Sequence, residues 1–370
     1  MIIAEIGTAH GGSFEKACRL MDAAATAGAD AVKFQWVYAD EILHPKTGTV
    51  KLPGGDIPLY ERFRQLEMPP SFFADCLQYA HAHSLKFVCS PFGLKSLQEL
   101  LAISPDAVKI ASPELNHYPL LKALADNRSK QAADGKTPVP VIISSGVSTL
   151  SDIEKAINIL GRTDVTLLHC ITCYPAPESE YNLNLLPLLS KLFGVPAGVS
   201  DHSLDPVLVP SLAAANGGTV TEKHITLSRS TDGLDDPVAL EPEQFALMVH
   251  CIHQCRAAID RYTAETGKAR ILEQLSGTYG TEKVQAALGT GIKQLAPSEQ
   301  ANYGRTNRSL HFMRSLPAGT VIMAQDVAVL RTEKILTPGI SPEYLETVIG
   351  RRLTHSAEAG EGVRWEHLLS

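Results

Sequence analysis

Two stretches, "PAGVSDHS" (196–203) and "TVTEKHIT" (219–226), decide how this chain is read. Each is a short apolar run that closes on a polar cluster holding a histidine, His202 in the first and His224 in the second. Near-continuous apolar character, rather than alternation, marks a strand covered on both faces, as in a parallel sheet. Six more runs share that character: "IIAEIG", "AVKFQ", "KFVCSPF", "AVKIAS", "VPVIISSG" and "VTLLHC". The eight begin near residues 2, 31, 86, 107, 139, 165, 196 and 219.

Helical patterns lie between them. Phe14, Ala17, Cys18, Met21, Ala24 and Ala25 fall on one helical face, and Gly28 can end that helix. Ser151 and Glu154 form a capping-box pattern ahead of "IEKAINIL", with Gly161 beyond its end. Strand–helix alternation repeated over residues 1–262 predicts an α/β fold, a (β/α)8 TIM barrel. An open doubly wound sheet is the competitor, but no glycine-rich dinucleotide loop follows the first strand. Residues 263–304 are polar and rich in Gly and Thr, which predicts a connector with some helix. From 305 to 370, short runs such as "RSLHFM" and "VAVLRT" alternate with "LPAG", "TPG" and "EAGEG". That pattern predicts a small, mostly β domain, too small to bury much surface unaided.

The bulk numbers narrow the class. A chain of 370 residues, 44% hydrophobic and 20% charged, can bury a large core. A net charge of −7 with no basic face argues against a nucleic-acid binder. No apolar run approaches the roughly 18 residues of a membrane span, and "MIIAEIG" reads as a strand rather than a secretory signal. Seven scattered cysteines fit reduced thiols in a cytoplasm. The pair Cys170 and Cys173 has no second ligand pair at zinc-finger spacing, so it reads as incidental.

Barrels of this kind build their sites at the C-terminal ends of the strands. Those ends carry Glu5, Lys33 with Gln35, Ser90, Lys109 with Ser112 and Glu114, Ser144, Thr172 with Tyr174, Ser200 with His202, and Glu222 with His224. Lys33 and Lys109 lie in apolar runs, where an unpaired ammonium is costly. Either they pair with Glu5 or Glu114, or they face an anion such as a phosphate or carboxylate. His202 and His224 end adjacent strands about 5 Å apart, so both imidazoles can reach one ion. Asp201 either supports that ion or caps a turn.

The segments "AEIGTAHGG", "AVKFQ", "SPF", "KIASPE", "SSGVST", "LLHCITCYPAP", "GVSDHS", "EKHITL" and "LEPEQF" together resemble the sialic acid (N-acetylneuraminate) synthase family. The tail "RSLHFMRSLPAGTVI…VAVLRT…IGRRL" resembles its antifreeze-like (SAF) domain. The resemblance implies condensation of phosphoenolpyruvate with an N-acetylated hexosamine. It implies His202 and His224 as ligands of a divalent metal, Mn2+ foremost, with Mg2+ or Co2+ as alternatives. Lys33, Ser90, Lys109, Ser112, Ser144 and Ser200 match phosphoenolpyruvate-binding positions, Glu5 an acid at the reacting centre, and Glu114 a carboxylate nearby. Gln35, Tyr174 and Asp235 match positions around the sugar, and Arg331 the arginine that reaches its N-acyl group. The implied assembly is a homodimer in which the small domain of one subunit covers the barrel of the other. Three departures stand out: Ala9 replaces an asparagine, Thr172 replaces a phosphate-binding asparagine, and "GLDD" (233–236) replaces a "GPDH"-like segment. Two other readings are a synthase acting on a phosphorylated aldose and a catalytically silent carbohydrate-binding relative.

Overall fold

The computed structural model of the protein describes residues 1–52, 55–231, 233–333 and 335–369. Strands form where the apolar runs lie: β1 (Ile2–Gly7), β2 (Ala31–Trp36), β3 (Lys86–Pro91), β4 (Ala107–Ile110), β5 (Val141–Ser144), β6 (Val165–Cys170), β7 (Ala197–Asp201) and β8 (Thr221–His224). Every neighbouring pair is parallel, and β1 bonds to both β2 and β8, so the sheet closes into a barrel. Helices α1 (Phe14–Thr26), α2 (Pro70–Ala82), α3 (Leu94–Ala102), α4 (Tyr118–Ala133), α5 (Leu150–Leu160), α6 (Leu185–Phe193), α7 (Leu208–Ala215) and α8 (Pro242–Arg261) surround it. Among the described residues, no helix is long and apolar enough to cross a membrane.

Two local expectations change. Phe14 stays 40% exposed at the first turn of α1, which instead buries Ala17, Leu20, Met21 and Ala24. Helix α5 starts before Ser151: Thr149 is the cap, its hydroxyl accepting from the Asp152 N–H while Asp152 accepts from the Thr149 N–H. Ser151 and Glu154 are already inside the helix, so the capping box is Thr149/Asp152.

The barrel interior follows from the two-residue period of a strand. Ile3, Ala31, Val88, Ala107, Ile142, Leu168 and Val220 form one apolar cluster that floors it. Two residues further along the same strands stand Glu5, Lys33, Ser90, Lys109, Ser144, Cys170 and Glu222. A buried polar layer therefore rests on an apolar one.

Past the barrel, α9 (Ala264–Tyr279) and α10 (Thr281–Leu288) pack back on it through Ile271, Leu275, Val284, Ala287 and Leu288. The irregular connector is thus confined to residues 289–307, with a 3-10 turn at Pro297–Glu299. Beyond it, β9 (Arg308–Phe312) and β10 (Val327–Arg331) pair antiparallel with Arg308 directly opposite Arg331. The small domain has its own core, including Leu310, Phe312, Ile322, Val348 and Val363.

Candidate active site

The C-terminal strand ends enclose a cavity of about 230 Å³. Glu5, Lys33, Gln35, Lys109, Ser112, Ser144, Thr172, Tyr174, Ser200, His202, His224, Asp235 and Arg331 all line it. Of the residues singled out in the sequence, Ser90, Glu114 and Asp201 do not. Ser90 is fully buried on β3, and its hydroxyl has no partner in the protein.

Lys33 is paired with Glu5 as one expectation had it, Lys109 is paired with Glu222 instead, and both side chains line the cavity. Lys33 Nζ lies 3.3 Å from Glu5 Oε1 and 3.2 Å from Glu222 Oε1; Lys109 Nζ lies 3.8 Å from the same Glu222 oxygen. Glu114 pairs with neither lysine, which corrects the sequence reading. Gln35 Nε2 donates to Glu5 Oε1 at 2.8 Å, and Ser200 Oγ donates to Glu222 Oε1 at 2.9 Å. Burial pushes Glu5 up to about 7 against the pull of Lys33, with Glu222 adding to the rise. Burial works against ionisation of Glu222 too, but Lys109 and Lys33 override it and hold this carboxylate low. Burial brings Lys109 down to about 8, partly opposed by Glu222. The Ser144 and Thr172 hydroxyls, buried and lining the cavity, have no partner in the protein. Buried donors of this kind beside two lysines suit an anionic ligand.

On the other side stand the imidazoles, ring centroids 5.6 Å apart. His202 Nδ1 lies 2.9 Å from the Ile171 carbonyl, which fixes a proton on Nδ1 and leaves Nε2 to face outward. The Tyr174 ring stacks on His202 at 4.3 Å, its hydroxyl 3.2 Å from Nε2. Burial lowers the His202 pKa, yet negative charge on the Cys170 sulfur 3.8 Å away, together with the Ile171 carbonyl, raises it to about 9. Burial and the His202 charge keep His224 neutral. Asp235 Oδ2 is 4.0 Å from His224 Nδ1. Among the described residues no set of three His, Cys, Asp or Glu side chains is arranged to cage an ion. The donor set fits an open site, two imidazoles plus water and substrate, as a catalytic metal needs.

Glu114, which the resemblance made a carboxylate near the reacting centre, lies outside the cavity lining. It is fully buried, and Arg308 Nε and Arg331 Nη2 each take one of its oxygens, the latter at 2.6 Å. Burial would raise its pKa, but Arg308 and Arg331 outweigh that and lower it. It holds the small domain on the barrel, with Arg331 at the cavity rim. In the single chain the small domain covers its own barrel.

Asp201 faces away from the cavity. Its Oδ2 lies 2.6 Å from Lys223 Nζ, with both side chains fully buried, and its Oδ1 accepts from the Ser203 N–H at 2.8 Å. It locks the turn that carries His202. In "GLDD", Leu234 and Asp235 line the cavity, while buried Asp236 accepts from the Gly233 N–H at 3.1 Å and shapes the loop. Arg308 escaped the sequence reading as a site residue, whereas Glu222 was marked there at the strand end that carries His224, two residues before it on the same strand face. Arg308 gave no local signal.

Other hollows among the described residues include one at the far end of the barrel beside Met1 and Ile142 and an apolar groove beside Leu188, Leu192 and Ile292. Neither gathers lysines, carboxylates and imidazoles together. A closed barrel whose mouth combines these groups under an arginine from an appended domain has the layout of an enzyme for a small anionic substrate. The chain belongs to the NeuB family: residues 20–263 match the NeuB family model and residues 307–369 the SAF domain. It is 31% identical to the spore coat polysaccharide biosynthesis protein SpsE of Bacillus subtilis, over 100% of this chain and 93% of that one. The crystal structure of that protein superposes with a TM-score of 0.79 at 30% identity, covering 100% of this chain and 95% of the other. The N,N'-diacetyllegionaminic acid synthase of Legionella pneumophila is 29% identical over 99% of this chain and 94% of its own. The N-acetylneuraminic acid synthetase of Leptospira borgpetersenii, solved with citrate, superposes at TM-score 0.60 with 29% identity, over 81% of this chain and 89% of that one.

Proposed function

We propose that this chain condenses phosphoenolpyruvate with an N-acetylated hexosamine to make a nonulosonic acid, releasing phosphate. The sugar is N-acetylmannosamine or a 2,4-diacetamido-trideoxyhexose. The observation that carries the reading is one cavity in which Lys33, Lys109 and the unpartnered Ser144 and Thr172 hydroxyls face His202 and His224.

In this reaction carbon 3 of phosphoenolpyruvate forms a bond to the aldehyde carbon of the open-chain sugar, and the aldehyde oxygen gains a proton. The carbon 2–carbon 3 double bond supplies the electron pair of that bond. Water adds at carbon 2 and gives up one proton, balancing the one gained by the aldehyde oxygen. The tetrahedral centre expels phosphate by C–O cleavage, its hydroxyl proton passing to the phosphate and leaving a ketone. Lys33, Lys109 and the hydroxyls of Ser112, Ser144, Thr172 and Ser200 hold the phosphate and carboxylate, supplying orientation and charge stabilisation. Glu5, pushed up to about 7 by burial, would move a proton at carbon 2. His202 and His224 would hold a divalent metal, Mn2+ or alternatively Mg2+ or Co2+, which supplies Lewis acidity at the aldehyde oxygen. Gln35, Tyr174 and Asp235 frame the sugar, and Arg331 closes the mouth over its N-acyl group.

Phosphate release from phosphoenolpyruvate and Mn2+ across a panel of such sugars, with a chelator control, tests the reading; no release with any sugar overturns it. We place the protein in the cytoplasm, on its free cysteines. A homodimer that exchanges small domains would preserve the Arg331–Glu114 contact between chains. Mixing an Arg331→Ala chain with a Lys33→Ala chain then restores one complete site per mixed dimer, whereas closure within one chain restores none.

A further inference from the structure

Val147 follows the end of β5 and holds φ at +43°. A β-branched residue is strained there, so its surroundings must impose that backbone. Both of its backbone polar groups are taken by the connector. The Val147 N–H donates to Glu299 Oε1 at 2.7 Å, and its carbonyl accepts from Asn307 Nδ2 at 3.0 Å. The same Glu299 oxygen accepts from the Thr172 N–H at 2.8 Å, while Oε2 accepts from the Ala296 N–H at 3.3 Å. Glu299 is fully buried, a costly placement for a carboxylate that accepts only backbone N–H groups in its hydrogen bonds.

Those groups belong to the segments that frame the anion-facing hydroxyls. Gly146, beside Val147, donates its N–H to Ser112 Oγ at 3.0 Å. It has no room for a side chain: a Cβ would collide with Thr172 Oγ1 and lie 2.9 Å from Ser112 Oγ. The ends of β4, β5 and β6 therefore meet at van der Waals contact, and Glu299 fixes the last two relative to each other. Asn307 directly precedes Arg308, which holds Glu114 two residues past Ser112.

We propose that Glu299 and Asn307 are positioning residues for the phosphate end of the site. Docking of the connector holds Val147 in its strained backbone and sets Thr172 against Ser112. The event that brings Arg331 over the mouth thereby also assembles the phosphate pocket. This rests on reading the cavity as a phosphoenolpyruvate site. A carboxylate that merely stapled the connector would affect stability and leave phosphate affinity alone.

The test is calorimetric titration of inorganic phosphate into the full chain and its variants, with melting temperature followed in parallel. Glu299→Ala removes a charged acceptor from three N–H groups, those of Val147 and Thr172 at the site among them, so phosphate affinity should fall by roughly 10-fold or more. Glu299→Gln keeps an oxygen at the Oε1 position and should restore affinity to within about 3-fold of the parent. Asn307→Ala, which spares Glu299, should weaken phosphate by roughly 3-fold or more and carries the test if Glu299→Ala does not fold. Lower melting temperatures with unchanged phosphate affinity in the folded variants overturn the inference alone. Absence of phosphate binding by the unmodified chain overturns the phosphate reading and this inference together.

Discussion

Glu114 on the barrel and Arg331 on the small domain meet at 2.6 Å across 217 residues of chain. Arg308, opposite Arg331 on the neighbouring strand, takes the other carboxylate oxygen and also donates to the carbonyls of Phe92 (2.7 Å) and Val329 (3.1 Å). The small domain is thus fastened to the barrel by one carboxylate and two guanidinium groups, with Glu114 and Arg308 fully buried and Arg331 partly exposed at the cavity.

Removing one member of that cluster leaves buried charge and stranded carbonyls. Arg308→Ala should lower stability by about 3–5 kcal/mol. Chemical denaturation measures the loss, and limited proteolysis should show earlier cleavage in residues 289–307. A change below about 1 kcal/mol would contradict the assigned role.

The same cluster sets an acid limit. The folded-state pKa of Glu114 is depressed: burial opposes ionisation and the arginines prevail. Its contribution is therefore complete above the ordinary value of 4.5 and is lost as pH falls through the lower folded value. Denaturation curves collected from neutral pH down through the carboxylate range should show wild type losing stability more steeply than Glu114→Gln. Parallel slopes in that range would refute the argument.

Asp201 and Lys223 form a second fully buried pair beneath the His202 turn. Asp201→Ala should cost about 3–5 kcal/mol because it leaves a buried ammonium unpaired. Replacing both with apolar residues, Asp201→Leu with Lys223→Met, should recover much of that loss, as measured in a double-mutant cycle.

Gly146→Ala tests the packing of the anion end. The added methyl must displace the Thr172 hydroxyl and press on Ser112 Oγ. Initial rates with phosphoenolpyruvate should drop by roughly 100-fold, about 2.7 kcal/mol of barrier, with a smaller effect on melting. Unchanged rates would show that the loops can yield.

His202→Ala and His224→Ala should each remove stoichiometric Mn2+ from dialysed protein while leaving the circular dichroism spectrum intact. Retention of the ion in both variants would exclude the imidazoles as its ligands.

The barrel was legible because each strand carries its own signal. All eight begin within two residues of the positions expected from apolar runs, since burial on both faces demands continuous apolar sequence. The polar strand ends were legible for the same local reason, through the two-residue period. Pairing between them was not. Nothing near Lys33 announces that Glu222 shares it with Glu5, and nothing near Glu299 announces Val147 or Thr172 as its partners. The helices of residues 264–288 were read as part of a connector because their polar faces mask the few positions that dock on the barrel.

By itself the sequence determined the strand–helix rhythm, the closed barrel, the appended β domain and the set of polar groups at the mouth, all properties of period and burial along a few residues. Tertiary structure alone decided what those groups do. It turned Glu114 into an anchor for two arginines, turned Asp201 away from the cavity onto Lys223, and set Glu299 against two loops. Charge pairing in a buried site depends on distances of a few ångströms between segments far apart in the chain, and only the closed fold fixes those distances.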